Sequence, residues 1–370
     1  MSNLFNRLPK YIQIKEAIRK EIEEGILREG QQLASEAALI DRFGASKMTV
    51  IRALQELVQE GFLSRVQGKG TYVTYPVRRS PLIGLLLPAI SPAGCAAWLR
   101  AVEPHASEAG FDLLFCMAEA QGEKVNDFAE RLIQRQVSGL IAAPVETDTD
   151  PSAPGWWLNR LREERIPVVL AGGKMDNFRD ISVIQTNDEE IMAELTREVL
   201  KKGHRRLLLL RGGEEPSSIL ALRIRGFQKA CKEEKIRVEL AEIVQLPGRK
   251  SLEEDSAEIV SLLRTHEPTA VMALNDLTAF RVMQIVQNNP YRFDSPISVT
   301  GYGDWDFAED AGLTTVRLPL EEMGERAVKA LQKLMRGGRP EWITLHARIV
   351  HRSSLSVLSY SKGEKTRSAN

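Results

Sequence analysis

From residue 82 onward the chain alternates short apolar runs with amphipathic stretches, and this alternation restricts its fold more than any other feature. Strand-like runs fall near Leu82–Leu87, Asp112–Cys116, Gly139–Ala143, Pro167–Ala171, Ser182–Gln185, Leu207–Arg211, Ala241–Gln245, Ala270–Ala273 and Ile297–Thr300. Helical periodicity fills the intervals at 93–109, 123–136, 155–165, 189–202, 218–234, 252–265, 276–288 and 320–336. Strands that alternate with helices at this spacing specify parallel sheets wrapped by helices. About nine strands over the α/β portion from residue 82 onward exceed one core, so an α/β fold with two doubly wound lobes is expected on domain-size grounds.

Before residue 75 the pattern differs. Tyr11, Ile14, Ile18 and Ile22 recur at three to four residues and stop at Gly25. A short helix fits Ser35 to Arg42, with Ser35 as its N-cap and Leu39 and Phe43 facing inward. Gly44 permits a tight turn, and Ser46 caps a third helix with an apolar stripe of Val50, Ala53, Leu54 and Leu57. Phe62–Val66 and Thr71–Thr74 then flank Gln67-Gly68-Lys69-Gly70, which reads as a hairpin. Helix, helix, turn, helix, hairpin is the order of a winged helix-turn-helix. The boundaries expected are 1–75 for this domain, 76–81 for a proline- and arginine-containing linker, 82–358 for the α/β domain and 359–370 for a frayed tail.

Composition bears on function through where the charges lie. The whole chain balances 50 Lys+Arg against 50 Asp+Glu, yet residues 42–79 hold seven cations and two carboxylates, a local excess of +5. A third helix entering a major groove would present Ser46, Lys47, Met48, Thr49 and Arg52, and the tip Gly68-Lys69-Gly70 would bring a cation close to phosphates. Double-stranded DNA is therefore the expected partner. In the α/β portion no Gly-x-Gly-x-x-Gly, Gly-x4-Gly-Lys-Ser/Thr, Gly-x-Ser-x-Gly or His-Glu-x-x-His pattern occurs, so a non-enzymatic role without cofactor is expected. His105, His204, His266, His346 and His351 are scattered, and no metal site is expected. Cys95, Cys116 and Cys231 suggest no disulfide framework, and Met1–Lys15 lacks an apolar core of signal type. With no run approaching a membrane span, the expected location is cytoplasmic.

Residues 9–74 resemble the GntR family of bacterial transcription regulators. The resemblance rests on Tyr11-Ile12-Gln13-Ile14, Gly25 with Leu27, Gly30 with Leu33, Ser35-Glu36, Leu39, Ser46-Lys47-Met48-Thr49-Val50, Ala53-Leu54, Leu57, Gly61 and Gly68-Lys69-Gly70-Thr71-Tyr72-Val73. It implies DNA contacts from Ser35, Ser46, Lys47, Met48, Thr49, Arg52, Gly68, Lys69, Gly70 and Thr71, and a dimer on a pseudo-palindromic operator. The chain also departs from the family. Ala34 and Ala37 stand where proline and arginine are usual, Lys47 replaces an arginine, and Ile51 occupies the place of a second recognition-helix arginine. Arg52 is one position displaced, a rotation of about 100° on a helix, so it need not substitute.

From 82 to about 355 the chain resembles the periplasmic-binding-protein-like sensor of the LacI family. The supporting runs are Leu82-Ile83-Gly84, Gly139-Leu140-Ile141, Ile166-Pro167-Val168-Val169, Thr186-Asn187-Asp188, Gly203-His204, Arg223 with Gly226-Phe227, Asn275-Asp276, Gly301-Tyr302, Leu313-Thr314-Thr315 and Arg352-Ser353-Ser354. This implies a small-molecule effector between two lobes, contacted by Arg223 and Asn275. Gly303 stands where the family carries a sugar-gripping aspartate, and Leu318 and Leu320 replace polar positions, so a less polar pocket is expected. Asp304 is a candidate substitute, with Trp305 beside it as a stacking surface. Trp156-Trp157 more simply opens a helix with one ring in the core. Two other readings stay open: a cytoplasmic solute-binding or carbohydrate-related protein, and an architectural DNA binder whose cleft is vestigial.

Overall fold

The computed structural model describes residues 9–358, apart from 29, 67, 75–79, 89–91, 119–121, 144–155, 173–180, 212–216, 236–240, 246–251 and 289–296. The first three helices are α1 (Lys10–Glu23), α2 (Glu36–Phe43) and α3 (Lys47–Gln59). Each of the later two starts where a serine side chain satisfies an orphan backbone donor: Ser35 Oγ accepts from Ala38 N at 3.3 Å and Ser46 Oγ from Thr49 N at 3.2 Å. Gly44 ends α2 with φ 54°, the left-handed conformation that turns the chain into α3. Ile14, Ile18, Ile22, Leu39, Val50, Ala53, Leu54 and Leu57 share one core. Strands β1 (Leu63–Val66) and β2 (Gly70–Val73) form an antiparallel hairpin, with Gln32 bridged to Tyr72 on its free edge. The winged helix order read from the sequence is thus the order observed.

The α/β portion contains two six-stranded sheets. The first is built from β3 (Ser80–Leu87), β4 (Asp112–Met117), β5 (Val137–Ala142), β6 (Val168–Ala171) and β7 (Ser182–Thr186). Helices α4 (Pro92–Glu108), α5 (Gly122–Gln134) and α6 (Trp156–Glu163) intervene. The second contains β8 (Leu207–Arg211), β9 (Ala241–Gln245), β10 (Ala270–Ala273), β11 (Ser298–Gly303) and β12 (Thr314–Arg317). Its helices are α7 (Asp188–Lys201), α8 (Ser217–Glu233), α9 (Leu252–His266), α10 (Asp276–Asn288) and the short α11 (Phe307–Asp310). The strands order as β4-β3-β5-β6-β7 and β9-β8-β10-β11-β12, the same doubly wound order twice. Helix α12 (Leu320–Met335) then returns to the first lobe and packs on α4, β13 (Trp342–Leu345) extends the first sheet, and β14 (Arg348–Val350) closes the second as its one antiparallel strand. The chain therefore crosses between lobes three times.

Strands β12, β13 and β14 and helix α11 carry no signal strong enough to read from sequence. Each is three or four residues long, and β13 and β14 lie at sheet edges. Strand β11 runs to Gly303, beyond the expected Thr300, through two glycines that weaken strand propensity. Strand β3 begins at Ser80, two residues inside the expected linker, whose 76–79 lies outside the described residues, as does the expected tail 359–370. Trp157 is 3 % exposed and Trp156 51 %, the division expected of a helix start with one ring in the core. Among the described residues no helix is long and apolar enough to cross a membrane, and no group of three or more His, Cys, Asp or Glu could hold a metal ion.

His204 is buried in the second lobe, with Nε2 3.0 Å from the carbonyl of Ser356, and burial holds its pKa below the ordinary 6.5. The unfolded chain takes up this proton as pH falls through 6.5 while the folded chain resists it, so the stability due to this group is present above that pH and lost below it. Thermal unfolding at pH 7.5 and 5.5 checks this: the stability gap between wild type and His204→Gln narrows at the lower pH.

Candidate functional site

The outward face of α3 carries Lys47, Met48, Arg52 and Gln55, all exposed, opposite the buried stripe. Ser46 and Thr49 are partly committed to the helix start, their hydroxyl oxygens 2.7 Å apart. Arg52 turns toward α1: its guanidinium lies 3.8 Å over the Tyr11 ring and Nε is 3.4 Å from Glu56, whose carboxylate also accepts from Lys15. The displacement read from sequence is thus realised as a stacked, paired arginine. At the wing, the Lys69 carbonyl accepts from Gln32 Nε2 at 2.8 Å and from the Tyr72 hydroxyl at 3.3 Å, which fixes the tip between Gly68 and Gly70. Thr71 is held by its carbonyl, which accepts from Leu33 N at 2.8 Å.

The local charge excess is smaller in effect than in count. Arg42 pairs with Glu21, Arg52 with Glu56 and Arg65 with Glu36, while Arg78 and Arg79 lie outside the described residues. Lys47 and Lys69 have no ion pair among the described residues, and both are exposed. They are the cations most readily offered to a polyanion.

The second candidate site is the cleft between the lobes. Its walls come from the carboxyl ends of strands in both sheets: Pro88 follows β3, Ala143 follows β5, Gly172 follows β6, Thr186 ends β7, and Leu318 follows β12. At its base sits a buried polar cluster. Asp188, 3 % exposed, accepts through Oδ1 from Arg223 Nε at 3.0 Å and from the Tyr302 hydroxyl at 2.8 Å, and through Oδ2 from the Thr186 hydroxyl. Arg223 also donates to the Leu274 carbonyl at 2.8 Å and lies 3.8 Å over the Tyr302 ring. Burial and the nearby Asp188 charge hold the Tyr302 phenol well above its usual pKa, so it remains a donor. Trp98, Trp305, Ile219, Leu318, Leu320 and Met323 supply an apolar lining. The enclosed space is about 80 Å³, room for a few waters in this conformation.

Of the four expected effector contacts, the cleft brings together Arg223 and Trp305. Asn275 caps α10 instead, its Oδ1 accepting from Thr278 N at 2.8 Å, and it is not part of the cleft lining. Asp304 adopts φ 56° after Gly303 and commits its carboxylate to Arg317 Nε and to Arg352 Nη1, the latter at 2.8 Å. It borders a neighbouring cavity of about 280 Å³, which shares Trp305 with the cleft, rather than the cleft itself. The reason is electrostatic: two guanidiniums converge on that one carboxylate. Asp188 was not anticipated as a cleft residue; its place in Thr186-Asn187-Asp188, between a strand end and a helix start, was the available signal. Behind Trp305, Asp276 accepts from its backbone N at 2.8 Å, and burial pushes the Asp276 carboxyl up to about 6. Beside the neighbouring cavity, Arg100 of the first lobe reaches both carboxylate oxygens of Asp306 at 3.0 Å.

Comparison with known proteins bears on both sites. Residues 10–73 match the model of bacterial regulatory proteins of the gntR family, and residues 196–355 match a periplasmic binding protein-like domain. The arabinose metabolism transcriptional repressor of Geobacillus stearothermophilus is 27% identical over 340 residues, covering 89% of this chain and 92% of that protein. The transcriptional regulator DegA of Bacillus subtilis is 28% identical over 287 residues, covering 76% and 83%. Among solved structures, a LacI family regulator from Enterococcus faecium with bound ribose superposes with a TM-score of 0.64 at 23% identity, covering 75% of this chain and all of that one. A CelR–cellobiose complex gives 0.63 at 20% identity over 83% of this chain and 90% of that one. At such identities the structures establish the fold.

The geometry of the buried cluster makes a prediction about its energetics. Asp188→Ala strands the Arg223 cation in the interior and costs about 3–5 kcal/mol, whereas Asp188→Ala with Arg223→Met recovers a large part of that loss. Denaturant unfolding of the two variants checks it; additive losses would contradict the coupling.

Proposed function

This chain belongs to the GntR family of bacterial transcription regulators and joins that winged helix to a LacI-like sensor; from that premise we propose that it is a repressor released from, or recruited to, its operator by a small carbohydrate-type effector bound between the lobes. The observation that carries this reading is the Asp188–Arg223–Tyr302 cluster at the base of a cleft walled by strand ends of two lobes. Its titratable groups are mutually paired, as in a binding site, rather than one being left as an unpaired general base. The residues of the wing and of α3 supply phosphate attraction through Lys47 and Lys69. In this reading 1–75 forms the DNA-reading unit and 80–358 the sensor, and the chain acts as a homodimer on two half-sites. An effector shifts only an equilibrium whose states it binds differently. The three crossings between lobes are hinges about which such states differ, and the Arg100–Asp306 pair favours the closed one.

Relatives named as arabinose metabolism repressors and a neighbour holding ribose support a carbohydrate effector. A second reading, an architectural DNA binder, draws on the space of about 80 Å³, too small for a sugar without movement of the lobes or of Trp98 and Trp305. Thermal-shift measurements on the full chain with pentoses, hexoses, disaccharides and sugar acids separate the two. A specific stabilisation that is lost in Arg223→Ala and in Trp98→Ala supports the sensor, and no stabilisation across the panel supports architecture. For the reader, an operator selected from random duplex DNA is bound with an affinity that falls with salt. Lys47→Ala and Lys69→Ala each lower the slope of log affinity against log salt by about 0.9; an unchanged slope in both would place the phosphate contacts elsewhere.

A further inference from the structure

Met48 is the most exposed large apolar side chain among the described residues, at 73 %. It sits in the first turn of α3, on the face opposite the core, where burial within the chain cannot account for it. Ile51, half-buried, lies one turn further along, and Tyr11, Thr49, Arg52 and Gln55 complete a shallow concavity of about 450 Å³ around the two. The nearest arginine does not cover this patch: Arg52 is drawn across Tyr11 and held by Glu56. The first turn of a recognition helix thus presents a thioether and an aliphatic chain where hydroxyls and cations flank it on both sides. In the major groove the apolar feature available to such a patch is the C5-methyl of thymine, since the other base edges offer donors and acceptors.

We infer that Met48 reads a thymine methyl group in each half-site of the operator. The inference rests on the DNA-reading function proposed above and assigns that site a base. Met48 is then a specificity-determining residue, with Lys47 and Lys69 supplying attraction that carries no sequence preference. Its flexible, polarisable side chain suits a contact made only when protein and groove meet.

Replacing single thymines by deoxyuridine removes the methyl and nothing else. With the full-length protein and an operator selected from random DNA, one thymine per half-site, when replaced, weakens wild-type binding by about fourfold, the worth of one methyl-sized group buried. In Met48→Ala the thymine-to-uracil ratio at that position falls to one, and in Met48→Leu it is retained. The side chain lies outside the core, and equal thermal midpoints of the three proteins confirm that folding is not being read. A fourfold ratio that persists in Met48→Ala, or wild-type binding that is insensitive to every uracil, overturns the inference while leaving the DNA-reading function intact. A change in self-association with an unaltered ratio also overturns it and makes the patch a protein contact. Failure to enrich any sequence would remove the DNA-reading function and this inference together.

Discussion

The carboxylate of Asp188 is almost completely removed from water, and the arrangement of the sensor depends on how that charge is held. A buried carboxylate is tolerated only where donors replace its hydration. Here the donors come from three separate elements: Arg223 on α8, Tyr302 on β11 and Thr186 at the end of β7. Satisfying them requires α8 to lie against α7 so closely that a Cβ at Gly226 would sit 2.3 Å from the Glu189 carbonyl oxygen. The glycine allows the approach, the approach brings Arg223 to Asp188, and the resulting pair has its remaining face toward the cleft. The side chains that hold this buried charge thereby also line the cleft.

That cluster sits where the lobes meet, and the topology explains why. Strands run outward to their carboxyl ends in both sheets, and the two sheets share one winding order, so their ligand-binding edges can face one another. The return of α12 to the first lobe, followed by β13 in the first sheet and β14 in the second, ties the lobes by three chain crossings rather than one. The Arg100–Asp306 pair also links α4 of the first lobe to the second lobe, but it is exposed, where an ion pair is screened and weak.

Much of this was legible in the sequence because it is local. Ser35 and Ser46 cap helices through residues three positions away, and the stripe of Val50, Ala53, Leu54 and Leu57 follows from helical spacing alone. The alternation that defines both lobes is equally local. The cleft chemistry is not. Arg223 meets an aspartate 35 positions distant, and Asp304, a candidate substitute for the absent sugar-gripping aspartate, is claimed by Arg317 and by Arg352, the latter 48 positions on. Asn275 illustrates the converse: a strand-end asparagine suits either a pocket or a cap, and the hydrogen bond to Thr278 N makes it a cap.

The reading domain shows the same distinction between count and placement. A formal excess of cations in residues 42–79 points toward DNA, but three of the arginines are spent on carboxylates of the same domain, and two of those, Arg42 and Arg52, also lie over aromatic rings. Such pairing removes long, flexible charges from the face that would dock and leaves two lysines and an apolar patch. With Arg52 stacked and paired, a contact from α3 to a guanine edge would fall to Lys47. The departures of this chain from its family at the recognition helix, Lys47 for arginine and Ile51 for arginine, act in the same direction. They remove guanidinium groups from the recognition helix, while the capped frame that positions α3 is preserved.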